Sequence, residues 1–377
     1  MTDITRRAAL RRTGGVAAAT LAFPAAGHTK EAGAAGRAQP RAVERVALTD
    51  VLLGWQGDGP RAYTVEQIRG KILSLADFGF RADGASDERA RLIEAIGVAA
   101  ALKCPLYFPP TEAPIFIDNS KAGPIFIPDF ANWVGTTSVL GGGSRLRFKG
   151  PAFTSDSKQP LSTVRIEGIT FIGSDTNEVV GGGTGGNHGF ELFAPTNNSV
   201  FRRVYVQWFN GDAFRIRRHT GPANDRTAAG NCLFEQTFLT SCGGYGFNVE
   251  GYITAVWQHP DINSCGRGAF RLAGGQANQT AVTITGLWSE NTRPWTSRQP
   301  VLIEDYGNGP ITFIGANFSG PTNGTDIIRV RGKTGARINL IGCAGFTYRN
   351  WIDDRVADRR VPYSYGINYF DPVLTAG

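Results

Sequence analysis

Hydrophobic and polar residues alternate in many short stretches of the later part of this chain. In "NGDAFRIRR", residues 210–218, Phe214 and Ile216 alternate with Arg215 and Arg217. Successive side chains of an extended strand point to opposite faces, so the apolar pair faces one way and the arginines the other. Glycine (49 residues) and Asn-Gly turns separate such stretches, which favours many short strands over long helices.

The alternating stretches recur at intervals of 24, 33, 23, 31 and 27 residues when they are aligned on one apolar residue. A second position supports this alignment, because Asn198, Asn231 and Thr254 each precede a central strand by 16 residues. Repeats of this length are typical of the coils of a solenoid. The aligned apolar residues are Phe190, Phe214, Phe247, Phe270, Val301 and Ile328.

Residues 75–110, "LADFGFRADGASDERARLIEAIGVAAALKCPLYFPP", hold the most diagnostic motifs of the chain. These are, in order, Asp77-Phe78-Gly79, Asp83-Gly84, Asp87 and Phe108-Pro109. The order resembles the opening of the pectate-lyase-like, glycoside hydrolase 28-related family of right-handed parallel β-helices, although "PTEAPIFI" follows where that family has Gly and Tyr. The resemblance implies an all-β fold, a single-stranded right-handed parallel β-helix of the pectin-lyase-like kind.

The same segment predicts a helix that caps the solenoid. Ser86 or Asp87 is a suitable N-cap, and an apolar stripe follows at helical spacing. Such a helix would cover the apolar core and the unpaired strand edge that a parallel solenoid exposes at its end. The stripe consists of Leu92, Ile93, Ile96, Ala99 and Ala100.

Four segments are expected along the chain. Residues 1–27, with Arg6-Arg7 and Arg11-Arg12 before an Ala-rich apolar run, resemble a bacterial twin-arginine export signal and imply a secreted or periplasmic protein. Residues 28–42 form a linker. Residues 43–74 resemble the attachment segment of phage tail-fibre and tailspike proteins, and residues 75–377 form the β-helix, with a C-terminal cap from about residue 345.

Charge and cysteine content exclude several classes of partner. Residues 1–41 carry a net charge of +5 out of the +7 of the whole chain, so the remainder gives little support for a nucleic-acid partner. No apolar run is long enough to span a membrane. The five cysteines contain no CxxC pair, so no metal site and no cofactor are expected, and Cys242 and Cys265 are interpreted as stacked core residues.

Equivalent residues of successive coils lie about 4.8 Å apart in a parallel solenoid, so positions near each anchor form rows on one face. The row one position after the anchors is Glu191, Arg215, Asn248, Arg271, Leu302 and Arg329. The row two positions before them is His188, Asp212, Tyr245, Gly268, Gln299 and Asp326. The row three positions after them is Phe193, Arg217, Glu250, Ala273, Glu304 and Arg331.

Two insertions, residues 219–230 and 291–299, are expected beside this face as the walls of a groove. A long groove suits a linear polymer, and arginines suit one that carries carboxylates or sulfates. The expected substrate-binding residues are Arg215, Arg217, Asn248, Glu250, Arg271 and Trp295. An alternative is that Arg215 with Glu191, and Arg217 with Glu250, form surface ion pairs that contribute little.

Four residues of this face are candidates for catalysis: Asp212, Glu191, His188 and Tyr245. Hydrolysis needs a pair of carboxylates, for which Asp212 and Glu191 are the candidates. Elimination from a uronic acid needs a base beside a cation, which His188 or Tyr245 with an arginine would supply. His188 and Asp212 also fit as ordinary turn residues.

These features predict an exported protein that binds, and cleaves, an acidic or bacterial-surface polysaccharide, as a glycoside hydrolase or a polysaccharide lyase. The polygalacturonase motifs are not present in order, so no catalytic residue is taken from that enzyme class. One alternative is a phage-like tailspike, which implies a homotrimer. Another is a carbohydrate-binding adhesin without catalysis.

Overall fold

The computed structural model describes residues 51–372 except 57–58, 65–71, 138–142, 175–184, 196–197, 221–226, 275–280, 291–299, 308, 321–325, 333–334, 349, 358–361 and 367. The expected export signal and linker therefore lie outside the described residues. The first described element is an antiparallel hairpin of strands β1 (Val51–Gln56) and β2 (Gly59–Thr64). From Leu73 onward, strands from three parallel sheets alternate along the chain.

The described residues form a right-handed parallel β-helix whose three sheets run along its whole length. Sheet 1 contains β3 (Leu73–Ser74), β4 (Leu106–Tyr107), β7 (Asn132–Val134), β10 (Arg165–Glu167), β13 (Val200–Arg202), β16 (Thr227–Glu235), β19 (Tyr252–Gln258), β22 (Val282–Thr285), β25 (Pro310–Ile314), β28 (Arg337–Ile341) and β31 (Tyr363–Tyr365). Sheet 2 contains β5 (Ile115–Asp118), β8 (Ser144–Lys149), β11 (Ile169–Gly173), β14 (Tyr205–Gln207), β17 (Phe238–Thr240), β20 (Asp261–Asn263), β23 (Trp288–Glu290), β26 (Asn317–Ser319), β29 (Ala344–Tyr348) and β32 (Tyr369–Pro372). Sheet 3 contains β6 (Ile125–Phe126), β9 (Phe153–Thr154), β12 (Phe190–Phe193), β15 (Phe214–Arg217), β18 (Tyr245–Glu250), β21 (Gly268–Ala273), β24 (Val301–Glu304), β27 (Asp326–Gly332) and β30 (Asn350–Ala357).

The six apolar anchors expected from the repeats pair with one another in sheet 3, which confirms the parallel β-helix and its register. The rings of the four phenylalanine anchors stack inside the solenoid. The ring centroids are 4.7 Å apart between Phe190 and Phe214 and 5.1 Å apart between Phe214 and Phe247. A second stack runs through Phe201, Phe234 and Trp257 of sheet 1. Because one apolar residue per coil meets its equivalents above and below, a weak local repeat produces a continuous core.

Helix α1 (Arg89–Leu102) covers the N-terminal end of the solenoid, as expected, but two details of the expectation were wrong. Its N-cap is Glu88, and Asp87 accepts a hydrogen bond from the backbone N–H of Arg89 without occupying the cap position. Ile93 is 41% exposed, because the buried stripe lies one residue to its side. The buried residues are Leu92, Ala95, Ile96, Ala99 and Leu102, which follow the three- and four-residue spacing of one helix face.

The chain passes from sheet 1 to sheet 2 through a tight corner. A residue in this corner has a positive φ in successive coils, as at His259 (50°) and Gly286 (62°). A side chain at Gly286 would also place its Cβ 2.4 Å from Nδ1 of His259, so glycine is required there. The corner keeps the short strands of sheet 2 in register, which positions the residues on its outer face.

The cysteines are part of the core. All five are free and buried, and Cys242 and Cys265 are both fully buried in neighbouring coils, as the repeated "SCG" triplet predicts. Burial raises the pKa of the Cys242 thiol well above its ordinary value, and the neighbouring Cys265 raises it further. The Cys242 thiol therefore stays protonated, and both side chains pack as small apolar groups.

Candidate functional site

The charged rows expected from the repeats lie on the outer face of sheet 3. Glu191 pairs with Arg215, Arg215 with Asn248, and Asn248 with Arg271 on successive coils. The row three positions after the anchors pairs between successive coils in the same way, and it runs from Phe193 to Arg331. From Glu191 to Arg331, these two rows hold five arginines and three glutamates, so they carry an excess of positive charge when the buried Asp212 and Asp326 of the third row are not counted.

Arg271 is held on all sides by acceptors. Its Nε and Nη2 atoms donate to Oε2 of Glu304 at 3.0 and 2.8 Å, and its Nη1 atom donates to Glu250 and Asn248, both at 2.9 Å. Burial disfavours ionisation of Glu304, but hydrogen bonds from Arg271 and Arg331 outweigh it and lower the pKa of the carboxyl. Arg271 is therefore a structural link between three coils. Of the two ion pairs expected as the alternative, Arg217 lies 3.5 Å from Glu250, and Arg215 lies 3.8 Å from Glu191.

Arg215 differs sharply from Arg271, although both stand in the same row. Its nearest carboxylate oxygens, on Glu191 and Glu250, both lie 3.8 Å away, beyond hydrogen-bond distance. Its Nε atom is buried without a hydrogen-bond partner among the described residues. Arg215 therefore keeps donors that the protein does not use, which is costly for a buried polar atom unless a ligand accepts from it.

The imidazole of His188 lies between Asp212 and Arg215. The backbone N–H of Asp212 donates to Nδ1 of His188 at 2.9 Å, so Nδ1 is the acceptor and the proton of the neutral ring is on Nε2. That Nε2 atom lies 3.2 Å from Nη1 of Arg215. Burial lowers the pKa of His188, the Asp212 carboxylate opposes this, and Arg215 lowers it further, so the ring is neutral at pH 7.

The His188 and Arg215 side chains thus present two N–H donors to one another. Two donors at 3.2 Å form no hydrogen bond, but an oxygen placed beside both would accept from each. An anionic oxygen fits best, because one of the donors carries a positive charge. This donor pair is the feature of the face that is most directly suited to a ligand.

Asp212 holds neighbouring coils together. Its Oδ1 accepts from the backbone N–H of Tyr245 at 2.7 Å, and its Oδ2 accepts from Nδ2 of Asn248 at 2.8 Å. The Oδ2 atom also lies 3.5 Å from Nδ1 of His188. With 4% of its surface exposed and both oxygens engaged, Asp212 positions its neighbours.

Two glycines make this arrangement sterically possible. A Cβ at Gly211 would lie 2.7 Å from Nδ1 of His188, and a Cβ at Gly244 would lie 2.1 Å from Oδ1 of Asp212. Both distances are too short for a carbon atom to occupy, so a side chain at either position would displace the cluster. Gly211 of "NGD" and Gly244 of "CGGYG" therefore allow the close packing of His188 and Asp212, which the repeat pattern alone does not predict.

Four of the expected site residues are buried. His188, Asp212, Tyr245 and Asn248 are each less than 9% exposed. Burial raises the pKa of the Tyr245 hydroxyl, so this phenol is protonated at neutral pH. Both arginines contact members of this buried group, since Arg215 lies 3.2 Å from His188 and Arg271 donates to Asn248.

The structure brings together nine of the ten expected residues on one face and adds Glu304, which was assigned to a row but not to the site. Trp295 and residues 291–299 lie outside the described residues, as do residues 221–226 of the other expected insertion. The part of the chain that the structure describes contains no group of three or more His, Cys, Asp or Glu residues arranged to hold a metal ion. No helix within those described ranges is both long and apolar enough to cross a membrane.

Known proteins are similar to this chain in structure but not in sequence. No protein-family model and no curated protein matches the chain. Among solved structures it is similar to ORF18 of Geobacillus virus E2, with 12% identity and a TM-score of 0.41 over 85% of this chain and 68% of that one. It is also similar to the A-module of the mannuronan C-5 epimerase AlgE4 of Azotobacter vinelandii (13% identity, TM-score 0.41, 80% and 96% of the two chains). A third similar structure is the surface adhesin PfbA of Streptococcus pneumoniae (13% identity, TM-score 0.39, 80% and 92%). At these identities the likeness concerns the fold alone.

Proposed function

We propose that this protein binds an acidic polysaccharide along the outer face of sheet 3, with a carboxylate or sulfate of the polymer at His188 and Arg215. The observation that carries the proposal is the pair of facing donors, Nε2 of His188 and Nη1 of Arg215, 3.2 Å apart. An anionic oxygen between them would relieve the contact and accept two hydrogen bonds. The unpartnered Nε of Arg215 supports the same role.

The rest of the face suits an extended polymer. Its rows follow the solenoid axis at about 4.8 Å per coil, so successive sugar units would meet successive coils. The excess of arginine over glutamate in the two rows attracts a polyanion, whereas the carboxylates of Glu250 and Glu304, which are partly exposed, offer acceptors to hydroxyl groups. Binding should therefore weaken with added salt.

Cleavage by elimination is a second candidate function. Neutralising a uronate carboxylate acidifies the neighbouring C–H group, and the His188 and Arg215 donors would supply that neutralisation. Elimination also needs a base that takes this proton while the bond to the leaving oxygen breaks and water protonates that oxygen. Tyr245 would be this base only as a phenolate, and burial raises the pKa of its hydroxyl, so elimination would require alkaline pH. Hydrolysis receives less support, since both oxygens of Asp212 are engaged by Tyr245 and Asn248. Export through the N-terminal signal would bring the protein to such polymers outside the cytoplasm, whether it acts alone or as a tailspike-like homotrimer.

Binding and cleavage are tested together with polygalacturonate, alginate and hyaluronate, with dextran as the uncharged control. Titration calorimetry of the full chain at low salt should detect binding of at least one polyanion and none of dextran. Arg215→Ala should weaken that binding about tenfold, the loss of one charge-assisted hydrogen bond. Ultraviolet absorbance of unsaturated products distinguishes elimination from hydrolysis, which yields only new reducing ends.

The matched control is Arg165→Ala on sheet 1, where Arg165 is paired with Glu167 and is half exposed. It removes the same charge from another face and should leave binding unchanged. Equal losses in both variants would show that only net charge matters. Binding of no polyanion by the wild type, or full affinity in Arg215→Ala, would contradict the proposal.

A further inference from the structure

The outer face of sheet 2 carries a row of aromatic residues interrupted by one carboxylic acid. Tyr205, Phe238, Asp261 and Trp288 occupy equivalent positions on four successive coils. Their inward neighbours along each strand are buried in the core, so the four side chains face away from it. None of these residues belongs to the site on sheet 3.

The aromatic members present ring surface to solvent. Trp288 is 46% exposed, which is unusual for so large an apolar side chain on a folded protein. The Tyr205 and Phe238 rings lie edge to face with centroids 5.3 Å apart. Phe238 and Trp288 are two coils apart, about 9.6 Å from the strand spacing, which is comparable with the length of two linked sugar rings.

Asp261 lies between Phe238 and Trp288 in the row, and one of its carboxylate oxygens accepts no hydrogen bond from the described residues. Its Oδ1 atom is buried and has no hydrogen-bond partner among the described residues. Burial raises the pKa of Asp261 to about 6, a hydrogen bond from Asn263 opposes the shift, and Glu290 adds to it. A buried carboxylate oxygen without a donor is unfavourable, and a ligand hydroxyl would satisfy it.

A second row beside the aromatic one consists of neutral hydrogen-bonding groups and one acid. Gln207, Thr240, Asn263 and Glu290 pair along the same four coils. No lysine or arginine stands in either row on the described coils from Tyr205 to Ser319. The two acids would repel a polyanion, so the ligand of this face is uncharged.

We propose that the outer face of sheet 2 is a second binding site, for an uncharged linear oligosaccharide. The apolar faces of its sugar rings stack on Trp288 and Phe238, and a hydroxyl group donates to the carboxylate of the partly exposed Asp261. Amide groups of the neighbouring row bind further hydroxyls. Aromatic stacking and neutral polar groups together match the alternating C–H and O–H surfaces of such a ligand.

The test uses cellohexaose, maltohexaose and laminarihexaose with the full chain, followed by calorimetry and tryptophan fluorescence. At least one hexasaccharide should bind. Trp288→Ala should weaken that binding at least tenfold, and Asp261→Leu should weaken it while raising the melting temperature, because it removes an unfavourable buried acid. A structural role alone would not produce these opposite effects on binding and stability.

Two controls separate this site from its alternatives. Ile341→Ala removes an apolar residue that is 46% exposed on sheet 1 and should leave binding unchanged. Arg215→Ala should also leave it unchanged, which distinguishes this site from the one on sheet 3. Binding of none of the hexasaccharides, or unchanged affinity in Trp288→Ala, would overturn the proposal. So would a wild-type oligomer in light scattering that Trp288→Ala dissociates, because the face would then bind a second copy of the chain.

Discussion

Nε2 of His188 and Nη1 of Arg215 lie 3.2 Å apart on neighbouring coils, and both atoms are donors because Nδ1 of His188 accepts from the backbone N–H of Asp212. Arg271 stands two coils further along the same row. Its guanidinium donates hydrogen bonds of 2.8–3.0 Å to Glu304, Glu250 and Asn248. The same residue type at equivalent positions therefore serves two purposes. Arg215 is available to a ligand, and Arg271 holds the coils in place.

Arg271→Ala should destabilise the protein more than Arg215→Ala. The first variant removes the donor to Glu250, to Oε2 of Glu304 and to Oδ1 of Asn248, and should cost about 1–3 kcal/mol of unfolding free energy. The second removes ion pairs at 3.8 Å and should cost less than about 1 kcal/mol. Urea unfolding of both variants measures the difference, and the reverse order would show that the assigned roles are exchanged.

Asp212→Ala should destabilise the solenoid at the junction of its central coils. It leaves the backbone N–H of Tyr245 and the Asn248 amide without their acceptor, at a cost of about 2–4 kcal/mol for two buried donors. Asp156→Ala is the control, because Asp156 is exposed and accepts only a local backbone hydrogen bond. A melting temperature unchanged by Asp212→Ala would mean that this carboxylate is held for a ligand and not for the fold.

Phe247→Ala tests the register of the core. Phe247 is fully buried and stacks on Phe214 and Phe270, so its removal should cost about 3–5 kcal/mol. Phe126→Ala removes the same ring where it is 63% exposed and should change stability little. If both variants have the same midpoint of denaturant unfolding as the wild type, the aligned anchors do not form the core.

Asp261→Asn should stabilise the protein at pH 7 but not at pH 4. The pKa of Asp261 is raised in the folded state to about 6, so the folded protein binds more protons than the unfolded chain between pH 4 and pH 6. Stability attributable to this group therefore falls as the pH rises through that window. Partial exposure reduces the gain from Asn to on the order of 1 kcal/mol at pH 7. Melting temperatures across this pH range would reveal it, and a gain equal at both pH values would argue against an ionised Asp261.

The export signal predicts a processed N-terminus. Protein secreted by the native host should begin between about residues 27 and 40, just after the apolar segment that follows Arg6-Arg7. Mass spectrometry of the exported fraction measures this start directly. An intact Met1 in that fraction would contradict export by this signal and favour the tailspike alternative.

The sequence by itself determined the architecture and the register of sheet 3. One apolar anchor per coil is enough, because each coil repeats the same local alternation and parallel pairing places equivalent residues in a row. The rows of Glu191, Arg215 and Arg271 followed directly from that spacing. The sequence also predicted the helix at residues 89–102. The exposure of Ile93 could not be predicted, because it depends on which face of the helix packs against the solenoid.

Only the tertiary structure decided which members of these rows are available to a ligand. The difference between Arg215 and Arg271 depends on side-chain contacts across three coils, and the proton position of His188 depends on a backbone N–H from another coil. Asp261 and Trp288 gave no sequence signal, because strands of three residues are too short to show an alternation. Their shared row arises from the tight corner between sheets 1 and 2, which sets the register of sheet 2 and exposes the ring of Trp288 beside a buried acid.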